Sequence, residues 1–151
     1  MPKTVLLARP HPFIVAEMKP FLEQNGYQAI KLETLDNLSV QSGSAVGAII
    51  SLALSSSIGE TAETVFQRLR KDAPHVPVLF ASMLTFNQAR PGLERIAKQT
   101  GLQANLVGVD VAPTAAAQLG DQKTFLYFSK DDLASPERRA TALRLIRRHF
   151  R

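Results

Sequence analysis

The chain has 151 residues, a net charge of +5 and no cysteine. That length fits a single domain spanning residues 1–151, and a 45% hydrophobic, 21% charged composition suits a globular core rather than a disordered chain. Without cysteine there are no disulfides, thiolate metal sites or cysteine nucleophiles. No apolar run approaches the ~20 residues of a membrane helix, and Met1–Val5 shows no signal-peptide pattern. A cytoplasmic protein is expected.

Val5-Leu6-Leu7-Ala8 is a short apolar run ending at Arg9-Pro10, and it suits a strand buried on both faces. Pro12 opens a helical pattern with Ile14, Met18, Phe21 and Leu22 on one stripe. Pro20 should kink or interrupt it, and Gly26 is a natural stop. Gln28–Leu32 alternates and predicts a second strand nearer an edge. Residues 34–45 are polar and predict a short helix or loop. Val46–Leu54 is the most apolar run and predicts a central strand, broken by Ser55-Ser56-Ser57.

Ala62, Val65, Phe66 and Leu69 then fall at helical spacing, and Pro74 ends that helix. Val76–Met83 predicts another buried strand. Leu93, Ile96 and Ala97 mark a helix from near Pro91 to Gly101. Ala104–Val109 and Thr124–Ser129 predict strands, with a short helix over Pro113–Leu119 between them. Ser135-Pro136-Glu137 is a strong helix start: a capping serine, a first-turn proline and an early acid. The alternation of strands and helices predicts an α/β fold: a flavodoxin-like three-layer α/β/α arrangement with a parallel sheet of five or six strands. The first strand should lie between the second and third.

Four strand ends together resemble a response-regulator receiver domain. Val5-Leu6-Leu7-Ala8-Arg9-Pro10-His11-Pro12 is similar to the first receiver strand and its loop, with Arg9 and Pro10 at the two acidic positions. Ala48-Ile49-Ile50-Ser51-Leu52 resembles the third strand, with Ser51 where the phospho-acceptor aspartate belongs. Val76–Ser82 resembles the fourth, ending in a switch hydroxyl at Ser82. Tyr127-Phe128-Ser129-Lys130 resembles the fifth, with a switch aromatic at Tyr127 and the characteristic lysine at Lys130, although Asp131 replaces the usual proline. Between Ser82 and Lys130 the chain is longer than a typical receiver by roughly one βα unit, which places the extra element at residues 100–120.

The resemblance implies a degenerate site. Receiver chemistry needs Mg²⁺ to neutralise charge on the transferred phosphoryl group, and Mg²⁺ takes oxygen ligands, chiefly carboxylates. Arg9, Pro10 and Ser51 supply none, so no metal, cofactor or catalytic residue is expected. The expected function is a non-phosphorylatable, non-enzymatic signalling module that binds a protein partner, an output domain or a second copy of itself. By resemblance, its interface involves Tyr127, the 89–100 helix and the 136–150 helix.

Other constellations carry less. His11, His75 and His149 are far apart and suit surface or loop positions better than a metal set. Ser55–Glu60 could cradle an anion at a helix start, but ordinary serine capping accounts for it. Asp131-Asp132 suits a solvated loop. Six arginines fall in the last fourteen residues: Arg138, Arg139, Arg144, Arg147, Arg148 and Arg151. An amphipathic helix should pack Ala140, Leu143, Ile146 and Phe150 on the sheet and turn Arg144, Arg147 and Arg148 outward as an interaction surface. Two rival functions follow. One is a flavodoxin-like binder or enzyme holding a phosphate-bearing ligand at the strand ends, where Arg9, Ser51, Ser55, Ser82 and Lys130 lie. The other is nucleic-acid or anionic-surface binding through the last helix, disfavoured for nucleic acid because no aromatic residues interleave with the arginines.

Overall fold

A computed structural model describes residues 3–32, 45–52, 60–101, 104–109, 119–120 and 122–151. Six strands form one sheet: β1 (Lys3–Arg9), β2 (Tyr27–Lys31), β3 (Ala45–Ser51), β4 (Val78–Ser82), β5 (Asn105–Val107) and β6 (Thr124–Ser129). Their order is β2-β1-β3-β4-β6-β5, and every pairing is parallel. The helices are α1 (Lys19–Gln24), α2 (Ala62–Asp72), α3 (Phe86–Gln99) and α4 (Pro136–His149). The chain is α/β, with the three-layer parallel architecture of the flavodoxin class.

The central strands are apolar on both faces because both are covered. Leu6, Ala8, Ala48, Ile50, Phe80 and Phe125 pack with α2 and α3. Val5, Leu7, Ile49, Leu79, Leu126 and Phe128 pack with α1 and α4. On the first face Phe66 packs edge-on to Phe80 and Phe125, which are tilted against each other, with ring centroids 4.8–5.8 Å apart, within the preferred range for aromatic pairs.

Pro20 leaves a mark, as its sequence position predicts. A π-helical segment, Ile14–Met18, immediately precedes α1, and Pro20 falls in the first turn of the α-helical part. Helical geometry is continuous from Pro12 through this segment into α1, and the Lys19 N–H bonds the Ile14 carbonyl, so the helix accommodates the proline by a local π-helical adjustment. Gly26 follows at φ 91°, where residues with a Cβ are strained.

Three sequence readings change. Helix α3 begins at Phe86, five residues before Pro91, because Thr85 caps it with a reciprocal Thr85–Gln88 capping box. Pro91 therefore sits inside the helix rather than at its start. The buried face of α4 is Ala142, Leu145, Ile146 and His149, whereas Ala140 is exposed and Leu143 half-buried. His149 is not a surface histidine. It is fully buried, its Nδ1 accepts from the Gly120 N–H at 3.0 Å, and its Nε2 therefore donates to the Val78 carbonyl at 2.8 Å. The short helix expected over Pro113–Leu119 and the element expected over 34–45 fall almost wholly outside the described residues, as does Ser55.

The added length between β4 and β6 contributes β5, which pairs outside β6 at the sheet edge. Four neighbouring strands, β1, β3, β4 and β6, therefore keep uninterrupted contact, and their carboxyl ends define one rim.

Candidate functional site

The rim is built by the last residues of four strands. At the end of β1 the register against β3 shifts between Leu7 and Arg9: Leu7 is opposite Ile49, and Arg9 is opposite Ile50. Ala8 is the extra residue of this irregularity. Such shifts bend a strand and re-aim the next side chain. Strict alternation would put Arg9 on the face of Val5 and Leu7. Instead its guanidinium reaches towards α2: Nε donates to the Glu60 carbonyl at 2.9 Å and Nη1 to the Ser51 carbonyl at 2.8 Å. Arg9 is 4% exposed. Burial lowers its pKa, and the Glu63 carboxylate opposes that shift. An arginine stays protonated throughout the pH range in which proteins work, so a permanent cation lies at the junction of β1, β3 and α2.

Pro10 and Ser51 are also buried, beside this cation. Ser82, at the end of β4, joins a closed hydrogen-bond ring. The Leu84 N–H donates to Ser82 Oγ at 3.1 Å, the Ser82 hydroxyl meets the Tyr127 hydroxyl at 2.6 Å, and the Tyr127 hydroxyl donates to the Leu84 carbonyl at 2.6 Å. With the tyrosine proton committed to Leu84, the Ser82 hydroxyl is the donor to Tyr127. Burial is the main cause of the raised Tyr127 pKa, pushed up to about 12; the Ser82 bond works against it and Asp132 adds to it. The ring holds Tyr127 fully buried, edge-on to Phe86 at 6.1 Å. The structure thus brings together Arg9, Pro10 and Ser51 on one side of the rim and Ser82 with Tyr127 on the other. Lys130 is exposed at the first position of a 3₁₀ turn, Lys130–Leu133.

The acidic pair beside it divides. Asp131 is exposed, but Asp132 is buried: its Oδ2 accepts from the Ser129 N–H at 2.8 Å and its Oδ1 from Arg138 Nη2 at 2.7 Å. Asp132 is a structural cap rather than part of a solvated loop. Its role was missed because Arg138, six residues on, looked like one more exposed arginine.

The receiver resemblance would imply a divalent cation at such a rim. The residues present do not fit one. Arg9, Pro10 and Ser51 offer no carboxylate, and the buried guanidinium would repel the ion. Among the described residues no group of three or more His, Cys, Asp or Glu could hold a metal.

Arg144, Arg147 and Arg148 are exposed on the outer face of α4. The other arginines of the segment are occupied elsewhere. Arg138 is ion-paired to Asp132, Arg139 lies 5.4 Å from the Phe21 ring centroid, and Arg151 donates to the Arg148 carbonyl. Among the described residues no helix is long and apolar enough to cross a membrane.

No protein-family model matches the sequence, and no curated protein matches it. Solved structures do match. A response-regulator receiver domain protein from Clostridium thermocellum is 13% identical, with a TM-score of 0.53 over 98% of this chain and 96% of that one. A signal receiver domain from Vibrio parahaemolyticus is 16% identical, with a TM-score of 0.51 over 97% and 92%. NtrX from Brucella abortus is 12% identical, with a TM-score of 0.56 over 97% of this chain but only 28% of that longer one. This chain therefore has the fold of a response-regulator receiver domain, with one strand added at the edge.

Proposed function

We propose that this chain is a single receiver-like signalling module, residues 1–151, that is not phosphorylated and acts by binding another protein. The observation that carries the reading is the Arg9–Ser51 contact. A buried guanidinium is bonded to the Ser51 carbonyl, at the strand-end positions that by the receiver resemblance would carry the metal and the acceptor carboxylate. With no acceptor and no metal cage, the module has no phosphoryl chemistry to perform, and its output is a shape. The Ser82–Tyr127–Leu84 ring supports this by fixing the rim's aromatic residue in one buried position.

The proposed contact surface is the outer face of α4, where Arg144, Arg147 and Arg148 suit an acidic protein surface. Nucleic acid is the weaker reading, because four of the six arginines, Arg138, Arg139, Arg144 and Arg151, have partners within the protein. Incubation with acetyl phosphate and Mg²⁺, followed by intact-mass measurement, tests the chemistry. The expected result is no adduct; a stoichiometric Mg²⁺-dependent adduct on the rim would overturn the reading.

A further inference from the structure

On the sheet face covered by α1 and α4, two adjoining hollows of about 240 and 520 Å³ open between these helices. Phe21 and Arg139 line both. The Arg139 guanidinium lies 5.4 Å from the Phe21 ring centroid, so this side chain bridges the two hollows. Arg139 is exposed, and a cation held over an aromatic ring at an exposed site is held weakly. Moved aside, it would leave one continuous groove with Phe21 as its floor.

The walls of this groove are apolar surface that the core does not use. Ala16 and Pro20 are exposed on the smaller hollow, and Ala134, Pro136 and Ala140 on the larger. Ala140 and Leu143, which the sequence placed against the sheet, both line the larger hollow instead. Small exposed side chains let another backbone approach closely, and a shallow apolar groove between two helices is the geometry that accepts the apolar face of a third.

Charge selects the occupant. Among the described residues, the charged groups lining the hollows are Arg139, common to both, and Glu17 on the smaller one. Lys19 and Glu23 of α1 pair with each other at 3.2 Å. Beyond Arg139 the chain turns wholly basic: residues 140–151 include Arg144, Arg147, Arg148 and Arg151 but neither Asp nor Glu. Ala140, Leu143 and Arg147 recur at helical spacing on one stripe, and the Arg147 charge acts on Tyr27 at the start of β2. The basic stretch therefore continues the wall of the larger hollow. A second copy docked through this same face would set arginine against arginine. We infer that the groove receives an acidic amphipathic helix of another protein, with its apolar residues over Phe21, Ala140 and Leu143 and its carboxylates beside Arg139 and Arg147. This rests on the reading of α4 as a protein-contact surface and names what docks there.

The test is a ¹H–¹⁵N NMR titration of the whole chain. The probe is a helical peptide of about sixteen residues, with leucines along one face and glutamates on its flanks. Shifts should concentrate at the amides of residues 16–25 and 133–143, and affinity should fall as salt rises. Ala140→Tyr changes an exposed residue, so it should fold like the wild type while weakening binding at least about tenfold by blocking the groove. Arg139→Gln should weaken it roughly fivefold, and the same peptide with lysine for glutamate should lose at least about tenfold. Absence of binding at millimolar concentration would overturn the inference, as would equal affinity of the lysine peptide. Shifts confined to residues 144–148, with full binding to Ala140→Tyr, would remove the groove and leave the arginine face as the contact. An acetyl phosphate adduct would sink the unphosphorylated module without touching the groove. A dimer in light scattering that Ala140→Tyr breaks would make the occupant a second copy, and tighter binding of phosphatidylglycerol vesicles at the same amides would make it a lipid surface; either result overturns the inference. Should Ala140→Tyr fail to fold, Arg139→Gln and the lysine peptide still decide the outcome.

Discussion

Arg9 puts a buried cation at a rim where Pro10 and Ser51 also offer no carboxylate. Its guanidinium donates to carbonyls on two other segments, Ser51 and Glu60. Hydrogen bonds from charged donors contribute about 1.5–3 kcal/mol each. Arg9→Ala should therefore destabilise the protein by roughly 2–4 kcal/mol, read as a lower urea midpoint with an unchanged slope. A change within ±0.5 kcal/mol, roughly that of a surface substitution, would mean that the two contacts are incidental. The composition of this site was legible in the sequence: Arg9, Pro10, Ser51 and Ser82 end apolar runs in the right order. The Arg9 contact was not, because it depends on a register shift between strands more than forty residues apart. His149 was misread for a related reason. Its place beside the chain end suggested exposure, but its partners, Val78 and Gly120, are remote in sequence.

Elements were more legible where periodicity was long, and less so where capping decided. The apolar spacing of Leu93, Ile96 and Ala97 identified α3, and Pro91 suggested its start. The start is instead set by Thr85, whose capping box supplies the first-turn bonds. Thr85→Ala should cost about 1 kcal/mol, detectable as a lowered melting temperature, whereas Gln88→Ala should cost less because the Thr85 side chain still caps the helix. The end of α4 is held by a clasp that no local pattern reveals. A Cβ on Gly47 would overlap the Phe150 ring, and the Tyr27 hydroxyl donates to the Phe150 carbonyl at 3.1 Å. Phe150 therefore packs directly on the backbone of β3. Gly47→Ala must displace that ring, and overpacking of this kind costs about 1–3 kcal/mol. Faster hydrogen exchange at residues 145–150 is the expected local readout; unchanged protection would show that the ring has another place to go.

At the scale of the molecule, the strand order and the two-faced core followed from apolar runs alternating with helical stripes. The added element at the edge followed only as extra length, because three residues, Asn105–Val107, are too few to show a period. That placement keeps β6 beside β4 and so keeps Tyr127 inside the sheet's α3 face. Global stability should carry the signature of that burial. Burial raises the pKa of both tyrosines, and that of Tyr127 is pushed up to about 12. A tyrosine in the unfolded chain ionises near pH ~10. Above that pH the unfolded state binds fewer protons than the folded state, so stability falls as pH rises. The stabilisation is complete below the unfolded value and is lost progressively up to the folded one, near 12. Tyr127→Phe loses the bonds to Ser82 and Leu84 and should be less stable than the wild type at neutral pH. It also loses this titration, so the gap between the two proteins should narrow from about pH 9 to about pH 11. Groups common to both proteins, Tyr27 included, cancel in the difference. Urea midpoints of the pair across that range provide the measurement, and a gap that stays constant would show that Tyr127 ionises alike in the folded and unfolded chains.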